Sequence, residues 1–108
     1  MTPKQIIILV LLISFSQIIF AQTGRVKGIL LSDKAPIKFG LIKIDSTNLG
    51  VTSDFNGYYS IENIPYGDYR ITASSIGYEK VIKQFSINQL KPEVTIDFHL
   101  HESTMKVD

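Results

Sequence analysis

Two histidines, His99 and His101, stand near the end of the chain, with Asp97 two residues before the first of them. On an extended strand alternate side chains share a face, so imidazole and carboxylate groups, both of which zinc accepts, would lie on one side. Alternate side chains on a flat strand stand about 6.5 Å apart, which is wide for convergence on one ion. No further ligand spacing supports them, so Asp97, His99 and His101 are expected to form a solvent-facing polar strip and no metal site. Asp54-Phe55-Asn56-Gly57 has a superficial likeness to a calcium loop, but it lacks a third ligand before the glycine and the downstream glutamate, so it is expected to be a hairpin turn. Ser74-Ser75 has neither a Gly-x-Ser-x-Gly elbow nor a histidine close in sequence. Tyr58, Tyr66 and Tyr78 flank turns, where an aromatic ring could stack on a sugar or anchor a protein, although covering the ends of the fold is the favoured role. No catalytic residue, cofactor-binding residue or metal ligand is assigned, and the chain is expected to be non-enzymatic.

Short alternating runs must carry these side chains. Arg25–Leu31 is expected as the first strand, ended by a turn through Pro36, which has no amide hydrogen for a ladder. Phe39–Asp45 follows, with Ile42 and Ile44 on one face, and Val51–Asp54 is a short third strand. Asn56-Gly57 suggests a two-residue type I′ hairpin, because both residues accept positive φ at least strain. Tyr58–Ile61 leaves that turn with Tyr59 and Ile61 inward. Pro65-Tyr66-Gly67 turns the chain into a fifth strand, where Tyr69, Ile71 and Ala73 alternate with Arg70, Thr72 and Ser74. Tyr78–Ile87 is a sixth strand and residues 88–93 a loop with room for one helical turn. In the closing strand Val94, Ile96, Phe98 and Leu100 face one way, and Thr95, Asp97, His99 and His101 the other. Seven strands with one apolar face each predict an all-β, seven-stranded antiparallel β-sandwich of the Ig-like kind.

Length and charge narrow the function. A chain of 108 residues holds one domain at most, and a net charge of +1 with scattered Lys and Arg offers no stripe for nucleic acid. The absence of cysteine removes disulfides, thiolate metal sites and a lipoprotein anchor. Residues 1–5 carry one positive charge, Ile6 to Ile13 is unbroken apolar sequence, and Ala21 offers a small residue before Gln22. This pattern predicts a signal peptide over residues 1–21, its core being short of the roughly 20 residues that a membrane span needs. The alternative is a retained anchor; in either case the chain is expected to be exported.

One cadence covers almost all of the remainder. Gly24, Pro36, Gly50, Thr52, Asp54, Asn56-Gly57, Tyr59, Ile61, Pro65, Gly67, Tyr69, Ile71 and Gly77-Tyr78 together resemble the carboxypeptidase-regulatory-like (prealbumin-like) domain. The likeness is weakest at Phe39-Gly40-Leu41, where small residues are usual. It implies a β-sandwich over residues 22–101, with Tyr69 bracing a corner through its hydroxyl. In Bacteroidetes such domains often form the periplasmic N-terminal extension of TonB-dependent outer-membrane receptors. Leu100-His101-Glu102-Ser103 and the residues to Asp108 resemble the linker that follows the domain in those receptors. The resemblance implies a non-catalytic accessory domain, in a truncated or split form, associated with the outer membrane. Its partners would be proteins: a receptor plug and barrel, or an energising or signalling component of the periplasm. The alternative is a free secreted or periplasmic module that binds carbohydrate or protein. The family's enzymes hold zinc in a separate domain, and hydroxyisourate hydrolases end in Tyr-Arg-Gly-Ser, where this chain has only Tyr69-Arg70-Ile71-Thr72 in mid-chain.

Overall fold

The computed structural model describes residues 2–8 and 22–103. Residues 3–8 form a short helix, and no described helix is long and apolar enough to cross a membrane. The rest of the expected signal peptide (1–21), and the tail beyond Ser103, lie outside the described residues.

Eight strands form two sheets: β1 (Thr23–Ser32), β2 (Leu41–Ile44), β3 (Gly50–Thr52), β4 (Tyr58–Pro65), β5 (Gly67–Ser74), β6 (Val81–Ile87), β7 (Glu93–Thr95) and β8 (Phe98–Leu100). One sheet has the order β3-β2-β5-β6 and is antiparallel throughout. In the other, β1 lies between antiparallel β4 on one side and β7 and β8 on the other. The inner faces meet in a core of Val26, Leu30, Ile42, Ile44, Tyr59, Ile61, Ile64, Ile71, Phe85, Phe98 and Leu100, among others. The β-sandwich and the inward faces read from alternation stand. Among the described residues no buried side-chain nitrogen or oxygen lacks a hydrogen-bond partner.

Four expectations change. First, the closing strand is split and runs parallel to β1, with Val26 opposite Val94 and Leu30 opposite Phe98, so the sandwich has eight strands and is not wholly antiparallel. The split has a physical cause at Ile96-Asp97. The Ile96 amide still donates to the Lys27 carbonyl (2.8 Å), but the next acceptor for β1 is a side chain: the Ile29 amide donates to Asp97 Oδ1 at 3.0 Å. Gly28 lies beneath this break, and a Cβ there would stand 1.8 Å from the Ile96 carbonyl oxygen. The same carbonyl accepts the Tyr59 hydroxyl at 2.5 Å.

Second, Asn56-Gly57 is not a type I′ hairpin. Gly57 has φ 84°, Asn56 is not among the residues with positive φ, and the turn carries the chain from β3 in one sheet to β4 in the other. Asp54 Oδ1 accepts the amides of Asn56 (2.8 Å) and Tyr58 (3.0 Å), so the aspartate side chain organises the turn. Third, β4 runs past Ile61 to Pro65. Its register against β1 shifts there, with Val26 opposite Ile61 and Gly24 opposite Ile64, while Asn63 takes φ 58°. This bulge keeps both Ile61 and Ile64 inward although they are three residues apart. Fourth, residues 88–92 contain no helical turn; Asn88 caps the loop by accepting the Leu90 and Lys91 amides.

Candidate functional site

Three features at the surface are built by the strands rather than merely left over from them. The first is an aromatic tip. Ser53 is buried, and its hydroxyl accepts the Gly40 amide (2.9 Å) and donates to the Ile37 carbonyl (2.6 Å). Its backbone amide and carbonyl bond Gly40 and Phe39 in turn. Thus zipped, the loop before β2 holds Phe39 at φ 57°, an unusual backbone for a bulky residue, and leaves the residue 59% exposed. Phe55, at the tip of the Asp54 turn and 66% exposed, meets it edge-on with ring centroids 5.1 Å apart. The Lys38 ammonium lies 5.3 Å from the Phe55 ring. Neither phenylalanine was singled out from sequence. Phe55 was legible there, since the second residue of a tight turn must point outward, but Phe39 was not. Of the tyrosines that were singled out, Tyr58 is exposed, whereas Tyr66 and Tyr78 are half-buried against the core.

The second feature is a histidine–aspartate cluster. His99 and His101 do share an exposed face, and their rings stack with centroids 5.0 Å apart. Asp97 does not join them, because its carboxylate is turned to the Ile29 amide. Asp33 takes its place, from the turn after β1: its Oδ1 lies 2.6 Å from His99 Nε2 and its Oδ2 3.6 Å from His101 Nδ1. The hydrogen bond from His99 holds the Asp33 carboxyl below its ordinary range. Asp33 is far from the histidines in sequence and reaches them only because β8 lies parallel to β1, with Leu31 opposite His99. A pocket of about 230 Å³ adjoins the cluster, lined by Asp33, Lys34, Tyr78, His101 and Glu102 among others.

The third feature is the way out of the domain. After β8 the chain does not leave at once. The Glu79 amide donates to the His101 carbonyl (2.9 Å), the Ser103 amide donates to the Gly77 carbonyl (2.8 Å), and Tyr78 and Glu102 form a bridge. The Gly77-Tyr78 corner therefore grips the outgoing segment. At the opposite bend the Tyr69 hydroxyl donates to the Pro65 carbonyl at 2.6 Å, the corner brace expected of it.

An open cleft of about 850 Å³ runs past Asp45, Arg70, Gln84 and Ser86, but the Asp45 carboxylate is already engaged by Thr72 (2.9 Å) and Arg70 (3.3 Å). Ser74 ends β5 and Ser75 opens the loop beyond it, while both histidines are engaged with Asp33. Fold and surface define a small β-sandwich module. The chain belongs to the CarboxypepD_reg-like domain family, whose profile matches residues 24–108.

Solved structures support the fold. BcpA, the major pilin subunit of Bacillus cereus, is 21% identical with a TM-score of 0.63, over 76% of this chain and 31% of that one. The Bacillus anthracis TIE protein is 19% identical with a TM-score of 0.60, over 75% and 17%. A chain of a type II cohesin–X–dockerin complex from Acetivibrio cellulolyticus is 14% identical with a TM-score of 0.60, over 78% and 61%. This chain thus spans less than two thirds of each, and at such identities the likeness is one of fold alone. Comparison with curated proteins finds no significant match.

Proposed function

We propose that this chain is a non-catalytic accessory domain in the periplasm, belonging to a TonB-dependent outer-membrane nutrient receptor. Residues 1–21 direct export, 22–101 form the folded module, and 102–108 begin the linker. The observation that carries this reading is the grip on the outgoing segment. Residues 101–103 are tied to the segment 77–79 by backbone hydrogen bonds, so the last described residues are held against the sandwich. That suits a domain whose task is to position what comes after it. It agrees with the resemblance of residues 100–108 to a receptor linker. Strands β3 and β6 stand at the two ends of their sheet, where an extended segment of a plug, or of an energising or signalling protein, can add as a further strand.

The test is fractionation of the source cells, probed with an antibody raised against residues 22–108. A band far above 12.1 kDa in the outer membrane is expected. A soluble band at or just below 12.1 kDa would overturn the receptor reading.

The Phe39–Phe55 pair favours a second reading, a free secreted or periplasmic module that binds carbohydrate or protein. A bulky residue held at positive φ so that its ring meets another in solvent is backbone strain of the kind found at binding surfaces. In that case a soluble wild-type protein is retarded in polysaccharide-containing native gels, or captures a protein partner, and Phe55→Ala is not.

A further inference from the structure

We propose that Asp33, His99 and His101 form a binding site for a divalent transition-metal ion of borderline softness, zinc in the first instance. The three side chains offer two imidazole nitrogens and a carboxylate oxygen, all within 4.8 Å of one another. A tetrahedral zinc ion with bonds near 2.0–2.2 Å needs donors about 3.3 Å apart. His99 Nε2 lies 2.6 Å from Asp33 Oδ1 and His101 Nδ1 lies 3.6 Å from Oδ2, the other oxygen of the same carboxylate, and the three donors all lie within 4.8 Å, so rotation of these exposed side chains must draw both nitrogens and one oxygen to that spacing. The flat-strand spacing that counts against two alternate histidines is overcome because their rings lean together, with centroids 5.0 Å apart.

The backbone beneath is fixed on both sides. Asp33 sits in a turn closed by Ser32, whose amide and hydroxyl both donate to the Ala35 carbonyl at 2.9 and 2.8 Å. The histidines flank Leu100, which is fully buried, and the His101 carbonyl is tied to the Glu79 amide. Two imidazoles with one carboxylate favour zinc, copper or nickel over magnesium or calcium, which prefer oxygen-only sets. Coordination replaces the His99–Asp33 hydrogen bond, and the proton on His99 Nε2 moves to Nδ1. The adjoining pocket leaves room for water or an added ligand at the remaining position. Metal binding would clasp the turn after β1 to the end of β8, where the chain leaves the sandwich. This inference does not rest on the receptor reading.

The experiment is calorimetric titration of the full chain, held in detergent micelles, with Zn²⁺, alongside the visible absorption of bound Co²⁺. One zinc per chain is expected, with the visible band of tetrahedral cobalt and no comparable binding of Mg²⁺. Asp33→Asn, His99→Ala and His101→Ala should each weaken zinc binding about tenfold or more, at least the loss seen when the supporting shell of a metal site is removed. Asp97→Asn, which keeps an acceptor for the Ile29 amide, should leave affinity unchanged. Failure of the wild type to bind zinc would overturn the proposal. So would equal zinc affinity in the His99→Ala/His101→Ala double variant, or a loss in Asp97→Asn as large as in Asp33→Asn.

Discussion

The two sheets bury apolar faces of the same kind, yet they are closed by different means. The β3-β2-β5-β6 sheet is a set of antiparallel neighbours, and its register runs without interruption from Gly67 opposite Ile87 to Ala73 opposite Val81. The β1 sheet needs a bulge against β4, a broken partner strand on its other side, and side-chain groups standing in for backbone at the break. Regular ladders satisfy their own polar groups, whereas a broken one must recruit side chains to do so. Side-chain contacts along the ladder should therefore matter more in the β1 sheet, while apolar burial should matter equally in both.

Truncating the core tests the equal part of that comparison. Phe98→Ala in the β1 sheet should destabilise by about 3–5 kcal/mol, and Ile42→Ala in the other by about 2–5 kcal/mol. Urea unfolding followed by tyrosine fluorescence reads both, since the chain has no tryptophan. Gly28→Ala should destabilise by about 1–3 kcal/mol or more, because the added carbon meets the backbone of Ile96 and no flexible side chain can yield. Gly50→Ala, where the nearest atom is 3.2 Å away, should be milder.

Ser53→Ala leaves the buried Gly40 amide and Ile37 carbonyl without their side-chain partner and should cost about 1–3 kcal/mol. It should also release Phe39 from its left-handed backbone, seen as a change in the Phe39 amide resonance. Tyr59→Phe should destabilise by about 0.5–1.5 kcal/mol, and more than Tyr69→Phe, whose hydroxyl lies nearer solvent. Burial first, and then the Asp97 charge, push the Tyr59 phenol well above its ordinary value of 10.0. Its contribution is therefore complete below pH 10.0 and is lost as pH rises beyond it. Tyr59→Phe should flatten that alkaline fall.

The smallest effects lie in the ion pairs at the surface. Hydrogen bonds from Lys27 and then Arg25 hold Glu93 below its ordinary 4.5, and the Thr72 hydroxyl, then Arg70, hold Asp45 below 3.8. Both carboxylates stabilise the fold above those values and lose that effect as pH falls beneath them. Glu93→Gln on one sheet and Asp45→Asn on the other should each reduce the acid sensitivity of the melting temperature slightly. The exposed Glu93 pairs should weaken with added salt more than the pair at half-buried Asp45.

Much was legible before any coordinates. Period-two alternation identified Ile42, Ile44, Tyr59, Ile61, Ile71, Phe98 and Leu100 as core, because a strand has only two faces and one is buried. Ile64 was missed because the bulge at Asn63 breaks that period. The histidine pair was legible, but its carboxylate was not. Asp97 had the right spacing, yet its side chain was needed by the Ile29 amide, a demand that exists only once β1 lies alongside.

By itself the sequence determined the strands, their inward faces, most turn positions and the domain family, since propensity, alternation and turn chemistry act over a few residues. Only the tertiary structure decided that the closing strand runs parallel to the first and breaks over Gly28. It alone brought Asp33 to His99 and His101, and pressed Phe39 outward against Phe55. Those outcomes follow from contacts between residues far apart in the chain, whose energies no local pattern encodes.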